Sequence, residues 1–315
     1  MALDTVRATT VIEVLCAAHL SSYVESDLHE RGGVMIVGDP ATLKSSLLSA
    51  LDRQYHNAVS LSDVNARALT DLRGQLASES IRTLVLPELN KIYERGNPGT
   101  AAHVIGTLRA LVAEGFQAAA FEDSRINRTT ARAVVMAALT PALQASQFKS
   151  WEDSGFNRRF LWPLLAMKDG ELLERSRVER SLLNIELGRY IPIPNSGVIP
   201  NQTTKPERIE CRALVKYQPG GNHATQLELL VRVLAVLQWW YPMINRRRDD
   251  ALATVKEFGR SLARGGAKLL VTMRCNHTWL YGSDGRMCKE CGTLEPHTGR
   301  RKKRKATVSR QRKRQ

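Results

Sequence analysis

The chain has 315 residues, 43% of them apolar and 24% charged, with a formal net charge of +15. That length suits one large domain with a buried core plus one or two small appendages, and argues against a single compact unit. No run of about eighteen apolar residues occurs, which speaks against a membrane span; the five cysteines, three of them crowded near the end, do not form a disulfide-framework pattern and fit a reducing compartment with a metal site.

In chain order, residues 1 to about 30 read as a packed helix, with Val11, Leu15, Ala18 and Leu20 close to helical spacing. The run Val34-Met35-Ile36-Val37 then leads through GDPATLKSS into a helix carrying Leu47, Leu48 and Leu51, a strand, loop and helix. Thr83 to Leu86 reads as a second buried strand, and Ala102, Ile105, Leu108, Leu111 and Val112 as the stripe of a helix. Val134 to Leu139 makes a third strand, and Phe160 to Leu165 is a candidate for a fourth. Such alternation predicts an α/β, three-layer core with a mostly parallel sheet. The Pro-, Asn-, Thr- and Gly-rich stretch from Tyr190 to Glu207 marks its end, and residues 222 to 270 look helical through Leu227, Leu230, Val231, Leu234 and Leu237.

A phosphate-binding loop needs converging backbone N–H groups, a lysine for the β- and γ-phosphates and a hydroxyl for Mg²⁺. Gly38, Asp39, Pro40, Ala41, Thr42, Leu43, Lys44, Ser45 and Ser46 fit that pattern except at Leu43, where the pattern has Gly. A side chain there is expected to narrow the approach to the phosphates. The bland reading is a polar turn capping a helix. Downstream, Glu88 ends the second strand and is the candidate for holding Mg²⁺ or water, with Pro87 where a preceding acid is usual. Thr140 ends the third strand as a candidate γ-phosphate contact, or else only caps the turn before Pro141. Arg159, with Arg158 in reserve, is the candidate guanidinium for transition-state charge.

GDPATLKSS resembles the Walker A segment of the minichromosome-maintenance branch of AAA+ ATPases, which also begins Gly-Asp-Pro and tolerates a non-Gly residue before the lysine. Across about residues 30 to 165, the order SLSDVNARAL, LVLPELNKIY, LRAL, a strand ending Thr-Pro and GFNRRF is similar to P-loop ATPases of phages and mobile elements. The resemblance implies an ATP- and Mg²⁺-dependent motor of the AAA+ or helicase kind, a homo-oligomeric ring in which Arg159 completes a neighbour's site, and action on DNA in the cytoplasm of a prokaryotic host. Its two departures, Leu43 and Pro87-Glu88, bear more on hydrolysis than on binding. A pore-facing hairpin over GFQAAAFEDSRINRTT, with Phe121 and Arg125 as its test residues, is a further expectation.

Cys275-x-His277 and Cys288-x₂-Cys291 are two ligand pairs ten residues apart, the spacing of a structural Zn²⁺ site, with His297 as an alternative to His277. From Arg300 onward there are ten Lys or Arg residues and no acid, so the rest of the chain carries only about +5. This tail fits salt-sensitive, sequence-independent binding of DNA, less favourably RNA. Acidic membranes or proteins and a nuclear-localisation role are its alternatives. The division expected is a helical segment at 1–30, a P-loop core at 31–200, a helical region at 201–270, a zinc module at 271–297 and a basic tail at 298–315. The rival functional readings are a nucleotide-binding scaffold with little turnover and a nucleic-acid-binding protein with a decayed loop.

Overall fold

The computed structural model describes residues 8–26, 29–40, 42–62, 64–94, 98–115, 131–165, 191–216, 218–219, 223–274, 279–282, 285–288 and 294–296. The chain opens with helix α1 (Ala8–Leu20) and enters the sheet at β1 (Gly33–Val37), every residue of which is buried. Helix α2 (Lys44–Gln54) leads to the short strand β2 (Ala58–Ser60), and α3 (Ala66–Asp71) and α4 (Arg73–Ala77) lead to β3 (Thr83–Leu86). Helices α5 (Lys91–Glu94) and α6 (Pro98–Val112) precede β4 (Val134–Leu139), and α7 (Pro141–Asp153) precedes β5 (Phe160–Leu161).

The five strands pair in the order β2-β3-β4-β1-β5, all parallel. Period-two alternation sends Val34 and Ile36 to one face and Met35 and Val37 to the other, so both faces of this apolar sheet need helical cover. On the first face they join Leu15 of α1, Leu48 of α2 and the later helices α8 (Lys205–Val215), α9 (Ala224–Trp240) and α10 (Asp250–Arg274). On the second they join Leu108 of α6 and the rings of Trp151, Phe156, Phe160 and Trp162. This is the α/β class with helices on both faces of a parallel sheet. Helices on either side of the boundaries drawn near residues 30 and 200 therefore share one core.

Helix α8 begins inside the stretch read as the end of the core, with a reciprocal cap between Thr204 and Glu207. Helix α9 and its following turn, Ala224–Ile244, are long and apolar enough to cross a membrane by composition, but most of that segment is buried in the protein. It serves here as the central helix of the first face. Helix α10 crosses the end of β5 so closely that the Leu164 N–H donates to the Ser261 carbonyl at 3.1 Å. A Cβ on Gly265 would overlap the Trp162 carbonyl oxygen, so this crossing requires glycine. After α10, three antiparallel strands, β6 (Trp279–Gly282), β7 (Gly285–Cys288) and β8 (Leu294–Pro296), form a separate small sheet.

Candidate nucleotide site

Strand β1 leaves through α2 toward the β2 edge of the sheet, whereas β4 leaves through α7 toward the β5 edge. Where the connections of neighbouring parallel strands part in this way, a crevice opens at the strands' carboxyl ends. The loop after β1, the end of β3 at Glu88 and the end of β4 at Thr140 all lie at that end of the sheet.

The loop is held from three sides. The Gly38 N–H donates to the Leu139 carbonyl at 3.2 Å, and the Thr42 hydroxyl donates to the Asp39 carbonyl at 2.8 Å. A Cβ on Gly38 would come within 2.6 Å of the Leu165 carbonyl oxygen, so the loop turns where only glycine fits. Leu43 stands at φ 60°, ψ 9°, the left-handed conformation that a glycine takes freely and a leucine does not. Its side chain is buried in the core beneath α2. The backbone thus adopts a conformation suited to glycine while the leucine side chain packs into the core.

Leu43 provides no side-chain cap for α2, so the N–H groups of the first turn, at Lys44, Ser45 and Ser46, lack the usual acceptor. An uncapped helix start carries partial positive charge and outward-facing donors, which suit an anion. Lys44 is buried, and its ammonium donates to the Asp39 carbonyl at 2.6 Å and the Thr42 hydroxyl at 3.0 Å. Burial pushes its pKa down to about 8, with Asp39 pulling the other way. One Asp39 carboxylate oxygen is buried without a hydrogen-bond partner. Pro40 and Ser46 are exposed, and Ala41 lies outside the described residues.

The Ser45 hydroxyl donates to the Pro87 carbonyl at 2.9 Å, which ties the start of α2 to the end of β3. Glu88 is exposed and its carboxylate pairs with Lys91 at 2.7 Å. Thr140 accepts the Leu143 N–H at 3.3 Å, the helix-capping role, and also accepts from the Asn90 side chain at 3.3 Å. Asn90 in turn accepts the Thr140 N–H at 3.4 Å, so it bridges the ends of β3 and β4. Sequence reasoning missed Asn90, although the signal that singled out Thr140, a polar residue just past a buried strand, is present in Pro87-Glu88-Leu89-Asn90.

Arg159 lies elsewhere. The pairing of Gly33 with Phe160 places it at the amino-terminal edge of the sheet, away from Lys44. Its guanidinium donates to the Gly155 carbonyl at 2.7 Å and pairs with Glu114 at 3.1 Å, while Arg158 is exposed. Of the zinc candidates, Cys288 is buried at the end of β7, opposite Trp279 of β6. Cys275, His277 and Cys291, with the alternative His297, the hairpin segment 116–130 and the tail, lie outside the described residues. Among the described residues no group of three or more His, Cys, Asp or Glu stands together as a metal site.

No protein-family model matches the chain, and no curated protein matches it significantly.

The Leu43 geometry gives a measurable expectation. Leu43→Gly relieves about 1 kcal/mol of left-handed strain but removes a buried side chain worth roughly 2–3 kcal/mol and leaves a cavity. Net destabilisation of about 1–3 kcal/mol is expected in denaturant unfolding; a stabilised variant would show that the strain outweighs the packing.

Proposed function

We propose that this chain is an ATP-binding and ATP-hydrolysing protein of the P-loop, AAA+-like kind that acts on DNA. The observation that carries the reading is the uncapped start of α2, with Lys44 beside it, at the crevice between β1 and β4. The residues present suit a nucleoside triphosphate with Mg²⁺: the amides of the loop and of Lys44–Ser46 for phosphate oxygens, the Lys44 ammonium for their charge, and the Ser45 hydroxyl for the metal. The bound metal would offset phosphate charge. Asn90 holds Thr140 at the edge of the crevice, where its hydroxyl can orient a γ-phosphate or a water. Arg159, or the exposed Arg158, sits at the end of the sheet opposite its own loop, and in this reading is assigned to the site of a neighbouring subunit in a ring.

The Cys275, His277, Cys288 and Cys291 set suits Zn²⁺ by ligand type, and the burial of Cys288 at a strand end agrees with a structural site. With the basic tail it forms the DNA-holding end of the molecule. Chelation at neutral pH is expected to remove one metal per chain and unfold the β6–β8 module while far-UV helicity of the remainder persists. Loss of all structure in one transition would contradict that division.

The alternative of a nucleotide-binding scaffold draws on Glu88, whose carboxylate is exposed and tied to Lys91. Steady-state ATP hydrolysis with and without single- and double-stranded DNA, with Lys44→Ala as control, separates the readings. DNA-stimulated turnover lost in the control supports the motor. Binding without turnover supports the scaffold, and no ATP binding refutes both.

A further inference from the structure

At the amino-terminal edge of the sheet, opposite the nucleotide loop, lies a polar cavity of about 410 Å³. Four arginines line it: Arg31 just before β1, Arg82 just before β3, Arg132 just before β4, and Arg232 from α9. The sequence scatters them over 200 positions, and only the parallel register of the strands brings three of them to one edge.

Their counter-charges are unevenly placed. Arg232 is matched within its own helix by Glu228 at 3.3 Å. A single carboxylate, Glu79, bridges Arg31 at 3.0 Å and Arg82 at 2.6 Å. Arg82 also stacks over the Tyr23 ring at 4.1 Å, which fixes the plane of its guanidinium. Among the described residues Arg132 reaches the Glu114 carbonyl, at 3.3 Å, and no carboxylate; its Nε is buried without a hydrogen-bond partner there. The other acid on the wall among the described residues, Glu25, is exposed. Arg31 is held below its ordinary pKa by burial and by repulsion from Arg232, Arg82 and Arg132, with Glu79 opposing.

Glu79 sits on an exposed turn at φ 57°, a conformation uncommon for a residue with a Cβ. It can withdraw into solvent with little disturbance to the core, leaving a two-arginine fork open beside a third guanidinium. Planar guanidinium forks match tetrahedral oxyanions in geometry as well as charge, and a phosphate offers enough oxygens to engage all three. We propose that this cavity binds a phosphate-bearing small ligand, whose phosphate is held by Arg132 and the Arg31–Arg82 fork in exchange with the Glu79 carboxylate. The site is separate from the nucleotide loop and does not depend on that loop binding ATP.

The test uses the full chain carrying Lys44→Ala, so that the nucleotide loop contributes little signal, with pyrophosphate as probe read by calorimetry and phosphorus NMR line width. Pyrophosphate is expected to bind, Arg132→Gln to weaken it about tenfold, and Glu79→Gln to tighten it about tenfold, the scale of one charge-assisted hydrogen bond made or broken. A gain of affinity in Glu79→Gln cannot arise from misfolding. A 5′-phosphorylated dinucleotide that binds tighter than pyrophosphate, and tighter than its unphosphorylated form, would overturn the small-ligand assignment in favour of nucleic-acid ends; weaker binding than pyrophosphate supports a small phosphate. No pyrophosphate binding in either Glu79 background, or binding indifferent to both substitutions, overturns the proposal.

Discussion

Lys44→Met is expected to abolish nucleotide binding while leaving the empty protein no less stable below pH 8. The lysine is buried, and burial brings its pKa from 10.5 down to about 8. In the folded chain it holds its proton less tightly than in the unfolded chain, so between these two values the unfolded state binds more protons and stability rises with pH. Below pH 8 the desolvation cost is present in full, roughly 3 kcal/mol at most, offset in part by the bonds to Asp39 and Thr42. Thermal unfolding from pH 6 to 10 should show wild type gaining on Lys44→Met only above pH 8. Bound phosphates would reverse the cost by holding the ammonium charged, so ATP affinity should fall as pH rises through 8. Affinity flat across that range would remove Lys44 from the phosphate site.

Gly265→Ala is expected to cost roughly 3 kcal/mol, lowering Tm by about 6–12 °C in a domain of this size. Helices usually gain from this exchange, since alanine is favoured over glycine by about 1 kcal/mol in a helix interior. Here the added methyl meets the Trp162 carbonyl, which is backbone and cannot swing aside. The same substitution at Gly106 of α6, where a Cβ meets nothing within 4 Å, is the internal control and should be neutral or stabilising. Equal effects at the two positions would mean that α10 can lift off β5 at little cost.

The buried strands were legible because a parallel sheet covered on both faces leaves continuous apolar runs: Val34–Val37, Thr83–Leu86 and Val134–Leu139 are such runs and all three are strands. Strand β2 was not, since Ala58–Ser60 is a short edge strand, partly exposed at its end, with no periodicity to read. The start of α8 was hidden by a Pro-, Asn- and Thr-rich stretch, although Thr204 and Glu207 hold the capping spacing that marks it. At the candidate site, the loop and Thr140 were readable from strand–loop context. Leu43 sends its side chain into the core because its left-handed backbone redirects Cβ, and no sequence pattern reports that turn. The Asn90 bridge and the arginine cavity depend on strand register, which joins residues far apart in the chain.

The crossing of α10 over β5 also has a mechanical meaning. The segment that α10 touches through Ser261 and Gly265 is the one whose Pro163 carbonyl accepts the Val37 N–H at 2.9 Å, one residue before the candidate loop begins. From Gly265 the helix runs to Arg274, about 14 Å at 1.5 Å per residue, and the small β6–β8 sheet is the next element in the chain. A tilt of about 10° at this crossing would carry the far end of the helix roughly 2.4 Å. The contact is made of backbone and of the bare Cα of Gly265, so that reach is set by the crossing itself and is sensitive to a side chain at 265.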